Sequence, residues 1–239
     1  MSNNNNSNIV TFENLKKLDF NINESYKRIR TNISFSGENI KTIAFTSSMP
    51  NEGKTEVTFN IARSFAEDGK KVLFIDSDIR KSVVMSRYGA DKETTGLSHY
   101  LSGQIKNFED VIFATNIDNM DVIFTGVKAP NPAELLGSAR FEKLIKECRD
   151  IYDYVLVDCP PLGSVIDAVL VAKKCDGAII VIESNNVSYK VVQGVKKQLD
   201  QGDCRILGAI LNKVEKTGKS YYGYGKYYGD YYGYYDSEK

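Results

Sequence analysis

The chain opens on eight residues that are nearly all Asn or Ser. A polar, basic stretch follows, whose spacing predicts a helix from about Asn23 to Phe35. From residue 41 the pattern changes. Short apolar runs bounded by turn residues recur at Thr42–Thr46 (TIAFT), Val72–Asp76 (VLFID), Met120–Thr125 (MDVIFT), Tyr154–Asp158 (YVLVD), Ala178–Ile182 (AIIVI) and Ile206–Leu211 (ILGAIL). Most are continuously apolar, as strands buried on both faces are. Helical segments separate them. The clearest runs from Gly53 to Asp68 and is stopped by Gly69; Phe141–Arg149, Asp167–Lys174 and Ser188–Leu199 follow, with a short helix over Gly96–Leu101. Alternation of this kind predicts an α/β fold, a mostly parallel sheet with helices on both faces. Right-handed crossovers then gather the strand C-termini along one edge, where such folds bind ligands. After Val214 the pattern ends. Residues 213–239 read KVEKTGKSYYGYGKYYGDYYGYYDSEK, a low-complexity run of Tyr-Tyr-Gly repeats. The expected organisation is a flexible N-terminal segment over 1–22, one globular domain over 23–212 and a disordered tyrosine-rich tail over 213–239.

Composition narrows the function. The 239 residues carry 31 Lys and Arg against 31 Asp and Glu, and a net charge of zero argues against a dedicated nucleic-acid binder. No run of 18 apolar residues exists to span a bilayer, and the N-terminus lacks the basic-then-apolar order of a secretory signal. A cytoplasmic protein is therefore expected. Cys148, Cys159, Cys175 and Cys204 show no CxxC spacing, so reduced thiols are expected rather than a zinc site. A single histidine, His99, excludes any mechanism that needs two, and it reads as a boundary residue rather than a catalyst. The anomaly is tyrosine: 15 in all, no tryptophan, and nine of the tyrosines at Tyr221, Tyr222, Tyr224, Tyr227, Tyr228, Tyr231, Tyr232, Tyr234 and Tyr235.

The strongest motif is Ser47-Ser48-Met49-Pro50-Asn51-Glu52-Gly53-Lys54-Thr55, between the first core strand and the longest core helix. That is the context of a phosphate-binding loop. Gly53 would let the backbone approach phosphate oxygens, Lys54 would bring positive charge, and Thr55 a hydroxyl for Mg²⁺. Ser48 stands where the common pattern has its first glycine, so the motif alone is also compatible with a surface turn and a solvated lysine. Two further features point to a nucleotide. One strand ends Asp76-Ser77-Asp78, two carboxylates at i and i+2 on one side of the sheet edge; another ends Asp158-Cys159-Pro160-Pro161. Each aspartate alone could be a cap or a turn; three at predicted strand ends beside this loop imply a nucleotide–Mg²⁺ site in a P-loop NTPase fold.

From about residue 24 to the tail, the chain resembles the bacterial tyrosine kinases that control capsule and exopolysaccharide synthesis. The loop fits that family's SxxPxEGKT form of the Walker A box, in which Ser48 is expected. Ile75–Lys81 resembles its Walker A′ box and Val155–Pro161 its Walker B box; Asn131-Pro132-Ala133-Glu134-Leu135-Leu136 matches another recurrent segment, with no role read from it. The resemblance implies a protein-tyrosine kinase using ATP and Mg²⁺. Ser48, Pro50, Asn51, Glu52, Gly53, Lys54 and Thr55 would bind nucleotide. Asn212, at the end of the last strand, would touch the adenine, as in related P-loop proteins. Thr55, Asp76 and Asp158 would hold Mg²⁺. Lys54 would act on the phosphates, and Asp76, assisted by Asp78, would take the tyrosine proton; the two roles given to Asp76 compete. The tyrosine cluster would be the autophosphorylation tail, modified between subunits. The resemblance further implies a ring-like homo-oligomer, such as an octamer, a transmembrane adaptor that activates the kinase and recruits it to the inner face of the membrane, and a cognate tyrosine phosphatase. The family's subunit-contact motif ExxRxxR reads Glu24-Ser25-Tyr26-Lys27-Arg28-Ile29-Arg30 here. Glu24, Lys27 and Arg30 are the interface candidates, and Lys27 lacks the guanidinium fork of the arginine it replaces.

Two other classes stay open at this level. A partition or cell-division ATPase of the same branch would carry a signature lysine at the position of Met49 and no tyrosine tail. A nucleotide-gated interaction protein would bind ATP without phosphotransfer. Arg80 and Lys81 could meet phosphate or a neighbour, or simply be solvated.

Overall fold

The computed structural model describes residues 9–89 and 95–215. The strands are β1 (Ile9–Val10), β2 (Thr42–Ser47), β3 (Val72–Asp76), β4 (Phe113–Thr115), β5 (Met120–Ile123), β6 (Tyr154–Asp158), β7 (Gly177–Glu183) and β8 (Ile206–Asn212). The helices are α1 (Phe20–Ser34), α2 (Lys54–Glu67), α3 (Val84–Tyr88), α4 (Leu97–Leu101), α5 (Pro132–Gly137), α6 (Ala139–Ile151), α7 (Asp167–Ala172) and α8 (Tyr189–Gln201).

One sheet runs in the order β1-β4-β5-β3-β6-β2-β7-β8, parallel throughout except for the β4–β5 pair. The continuously apolar runs are its centre, and every residue of β2 and β3 is buried. The two-residue period still shows in which layer each side chain joins. Ile43 and Phe45 of β2 and Val72 and Phe74 of β3 pack with α1 and α2. Ala44, Leu73 and Ile75 pack with α6 and α7 on the other face. Helix α2 is buried on most sides, because the sheet takes one face and α1 the other. Fully burying a side chain such as Ile61 or Phe65 contributes about 1.5–3 kcal/mol. Phe59 stacks on Tyr88 at 3.9 Å between centroids, and Phe12 meets Phe59 edge-on at 5.2 Å.

Three features differ from the sequence reading. Residues 9–22 are not a free segment: β1 pairs with β4, Val10 and Phe12 are buried, and α1 begins at Phe20 under an Asp19 cap. A two-residue strand and one buried Phe leave no period to detect. The sheet gains β4, a three-residue strand turned back on β5 through Asn119, whose φ is 63°. Helices α3 and α5 are each under two turns and carry no readable stripe. All four cysteines are free thiols. Among the described residues no helix is long and apolar enough to cross a membrane.

Candidate active site

The chain turns through residues 48–53 between β2 and α2, and side chains from three directions hold that turn. Glu52 is buried. Its Oε2 accepts the Met49 amide at 2.6 Å, and its Oε1 accepts the Glu183 amide of β7 at 3.1 Å. Asn212, at the end of β8, donates from Nδ2 to the Glu52 carbonyl at 2.9 Å, and Lys213 donates to the Asn51 carbonyl at 2.7 Å. On the opposite flank, the Leu162 and Gly163 amides donate to the carbonyls of Ser47 and Ser48 at 2.8 and 3.1 Å. Two positions need glycine. Gly53 has a φ of 83°, and a β-carbon there would also strike Asn212. At Gly163 a β-carbon would collide with the Ser48 carbonyl oxygen.

The turn suits a phosphate group. Helix α2 has no side-chain cap, so its first amides lack a side-chain partner. The Ser48 hydroxyl is buried and has no hydrogen-bond partner among the described residues. Asn51, with a φ of 69°, and Pro50 lie on the exposed rim.

Beside this turn, β3 and β6 end on two carboxylates in register, Asp76 against Asp158. Both are buried. Asp158 is ion-paired: Lys54 Nζ lies 2.5 Å from Oδ1, and the Thr55 hydroxyl donates to Oδ2 at 2.7 Å. Burial pushes Asp158 above the usual carboxylate range, and the Lys54 ammonium and both hydrogen bonds pull against it. Among the described residues no cation pairs directly with Asp76. Its Oδ2 accepts the Ser82 hydroxyl at 2.5 Å and its Oδ1 the Asp78 amide at 3.2 Å. Burial, then the Asp158 charge, raise its pKa to about 7. Two hard carboxylates and a hydroxyl fit a Mg²⁺ ion that keeps several waters; among the described residues no cluster of three or more His, Cys, Asp or Glu forms a metal cage.

The other expected residues fall as follows. The Asp78 side chain closes a turn by accepting the Lys81 amide at 3.0 Å, so only its backbone meets Asp76. Asn212 braces the loop rather than standing open at the sheet edge. Lys27 is exposed and Glu24 half-buried, and the two are bonded to each other at 2.8 Å. Arg30 turns inward, to the Ser64 carbonyl at 2.8 Å and Asp68 at 3.0 Å. His99 accepts the Gly96 amide on Nδ1. The nine tail tyrosines lie outside the described residues.

The AAA domain family matches residues 40–204. Tyrosine-protein kinase CpsD of Streptococcus pneumoniae is 41% identical over 218 residues, 90% of this chain and 95% of that protein. Tyrosine-protein kinase YwqD of Bacillus subtilis is 36% identical over 219 residues, 91% of this chain and 90% of that one. The chain belongs to the bacterial tyrosine kinases. The kinase domain of Escherichia coli tyrosine kinase ETK superposes with a TM-score of 0.78 at 33% identity, covering 82% of this chain and 76% of that one. The protein is thus a tyrosine kinase on a nucleotide-binding P-loop fold.

How several residues of the kinase site are held had no sequence signal. Glu52, read as a nucleotide contact, is buried and braces the turn over residues 48–53. Ser82 bonds Asp76 from six residues away. Arg80 pairs with Asp167, 87 positions along the chain, at 2.6 and 3.0 Å. Only the run Asp76–Lys81 hinted that the whole segment was built around one carboxylate.

Proposed function

We propose that this kinase transfers the γ-phosphoryl group of ATP to the tyrosines of its own C-terminal tail, between subunits, and so regulates capsule or exopolysaccharide synthesis and export. The observation that carries the reading is the juxtaposition of Lys54, Thr55, Asp158 and Asp76 at the phosphate loop. The loop amides and Lys54 hold the β- and γ-phosphates, with Ser48 to Thr55 forming the cradle. Lys54 exchanges its contact with Asp158 for phosphate oxygens. Thr55 and Asp158 are the residues that would hold Mg²⁺, which supplies charge neutralisation on the phosphates when bound. The tyrosine oxygen forms a bond to the γ-phosphorus as the bond to the β-phosphate oxygen breaks. Asp76 accepts the tyrosine proton. A carboxylate whose pKa is raised to about 7 is a better acceptor at neutral pH than an ordinary one. Of the two roles that compete for Asp76, this reading favours the base, although Asp76 also lies where it could reach the metal. Asp158, already bound to Lys54 and Thr55, is the metal-side carboxylate, and Asp76 is the base. Asp78 assists through its backbone. Most of the catalysis is positioning and charge stabilisation.

Each phosphotyrosine adds about −1.5 to −2 charge, so nine add roughly −14 to −18 to a neutral chain. Crowded tails then repel, and phosphorylation dissociates the assembly. Glu24, Lys27 and Arg30 of α1 are the candidates to meet a neighbour, and Arg30 also braces α1 on α2. A transmembrane adaptor recruits the kinase to the inner membrane face and activates it, and a cognate phosphatase resets the tail. A mixing experiment tests transfer between subunits. Lys54→Met protein with an intact tail is incubated with Mg-ATP and active protein truncated after Thr217. Phosphotyrosine on the full-length chain supports the reading; its absence, with active wild type alongside, refutes it. The partition-type ATPase is disfavoured by Met49, where a signature lysine would stand.

A further inference from the structure

We infer that Arg80 and Asp167 form a clamp that positions Asp76, by tying the loop wrapped around that carboxylate to helix α7. The inference rests on Asp76 acting as proposed above.

The loop after β3 is built around Asp76. It leaves the strand at Ser77, whose amide donates to the Asp158 carbonyl at 2.9 Å and whose hydroxyl donates there at 2.8 Å. The Asp78 amide then reaches one oxygen of Asp76, and the Ser82 hydroxyl reaches the other. Between those contacts the loop must keep its curvature. Asp78 closes a turn onto Lys81, and Ile79 is buried in the core. Arg80 lies between these contacts along the loop. Its guanidinium grips both oxygens of Asp167, through Nε and Nη2. A planar guanidinium fork on a carboxylate fixes angle as well as distance.

The anchor is rigid. The Asp167 side chain is 1% exposed, against 39% for Arg80. Asp167 opens α7, whose Ala168, Val171 and Ala172 are buried. Helix α5, the Asn-Pro-Ala-Glu-Leu-Leu segment that had no assigned role, packs on α7. Its Leu136 shares a core cluster with those alanines, and Leu170 reaches Gly137. A continuous path of contacts thus runs from α5 through α7 and the clamp to Asp76. Asp167 lies nine residues after Asp158, so the clamp also couples the segments that follow the two site carboxylates.

A pair serving stability alone could be replaced by apolar side chains at little cost, because solvent screening on the Arg80 side and desolvation on the Asp167 side offset most of the attraction. That contrast gives the test. The double variant Arg80→Met/Asp167→Leu removes both charges and leaves neither unpaired. Its fold is checked by thermal midpoint, and Arg80→Lys serves as a second, milder variant. Hydrogen exchange is read by mass spectrometry on full-length protein, alongside kcat and KM for ATP in tail phosphorylation. The clamp predicts at least tenfold faster exchange over residues 77–83, with α7 and the phosphate loop within threefold of wild type. It also predicts at least a tenfold loss of kcat with KM for ATP within threefold, and partial recovery of kcat in Arg80→Lys. Unchanged exchange over 77–83 in the folded double variant overturns it, as does kcat within threefold of wild type. The exchange arm needs no catalysis. A wild-type protein without kinase activity would therefore count against the functional reading and leave the clamp to be judged on exchange.

Discussion

Asp158 and Asp76 sit side by side at the ends of β6 and β3, equally buried, yet their neighbours differ in kind. Asp158 has an ammonium and a hydroxyl on its two oxygens. Asp76 has a hydroxyl and an amide, both neutral. Burial raises both carboxylates, but one has a cation beside it to hold its charge, and the other, without one, titrates near neutral pH. Two identical side chains in register acquire separate work from what the next few residues bring to them: Lys54 and Thr55 for one, the loop 77–83 for the other.

The largest way to break this contrast is to remove the cation. Lys54→Met should lower phosphotyrosine formation by at least about 100-fold, the scale for losing a charge-stabilising donor. Radiolabel transfer from ATP measures it. Next is Asp158→Asn, which leaves Lys54 buried beside a neutral amide. Removing one partner of a buried pair costs about 3–5 kcal/mol, and urea unfolding should show it. Asp76→Asn should act in the opposite direction. The folded-state pKa of Asp76 lies above its unfolded value, so the stability it contributes is complete at acid pH and is lost as pH rises toward about 7. The asparagine should therefore stabilise nucleotide-free protein by about 1–3 kcal/mol at pH 8 and by almost nothing at pH 4. It should also abolish transfer. The smallest effect belongs to Ser82→Ala. Its hydroxyl favours the ionised carboxylate, so its loss should move the acid limb of the rate profile up by roughly 0.7 pH unit, the equivalent of about 1 kcal/mol. A downward shift would contradict the role given to Ser82.

Much of this was legible in the residues. The apolar runs of β2, β3, β6 and β7 are long enough to declare themselves, and the glycine, lysine and threonine after β2 can be read from order alone. Asp76 and Asp158 were visible because they end such runs. What stayed hidden was every contact between distant segments. Arg80 and Asp167 are unremarkable residues until the fold brings them together across 87 positions. Asn212 was read as an adenine contact; that the same side chain also braces the Glu52 carbonyl was not legible. The margins of the sheet were missed for a different reason: β1 and β4 are two and three residues long, and their pairing is decided by Phe12, Asn116 and the Asn119 turn rather than by periodicity. The intrachain contacts of Arg30, an interface candidate, were hidden for a related reason. A helical arginine can face out or in, and here Ser64 and Asp68 take it inward.

The most direct test of the central claim is site mapping of phosphate by mass spectrometry. Full-length protein is incubated with Mg-ATP, with and without the adaptor's cytoplasmic segment, beside Lys54→Met and a chain truncated after Thr217. The account predicts phosphate on the tyrosines between Tyr221 and Tyr235, none in the Lys54→Met protein, and no phosphotyrosine in the truncated chain. ATP hydrolysis with no phosphotyrosine, even with the adaptor segment present, would contradict it.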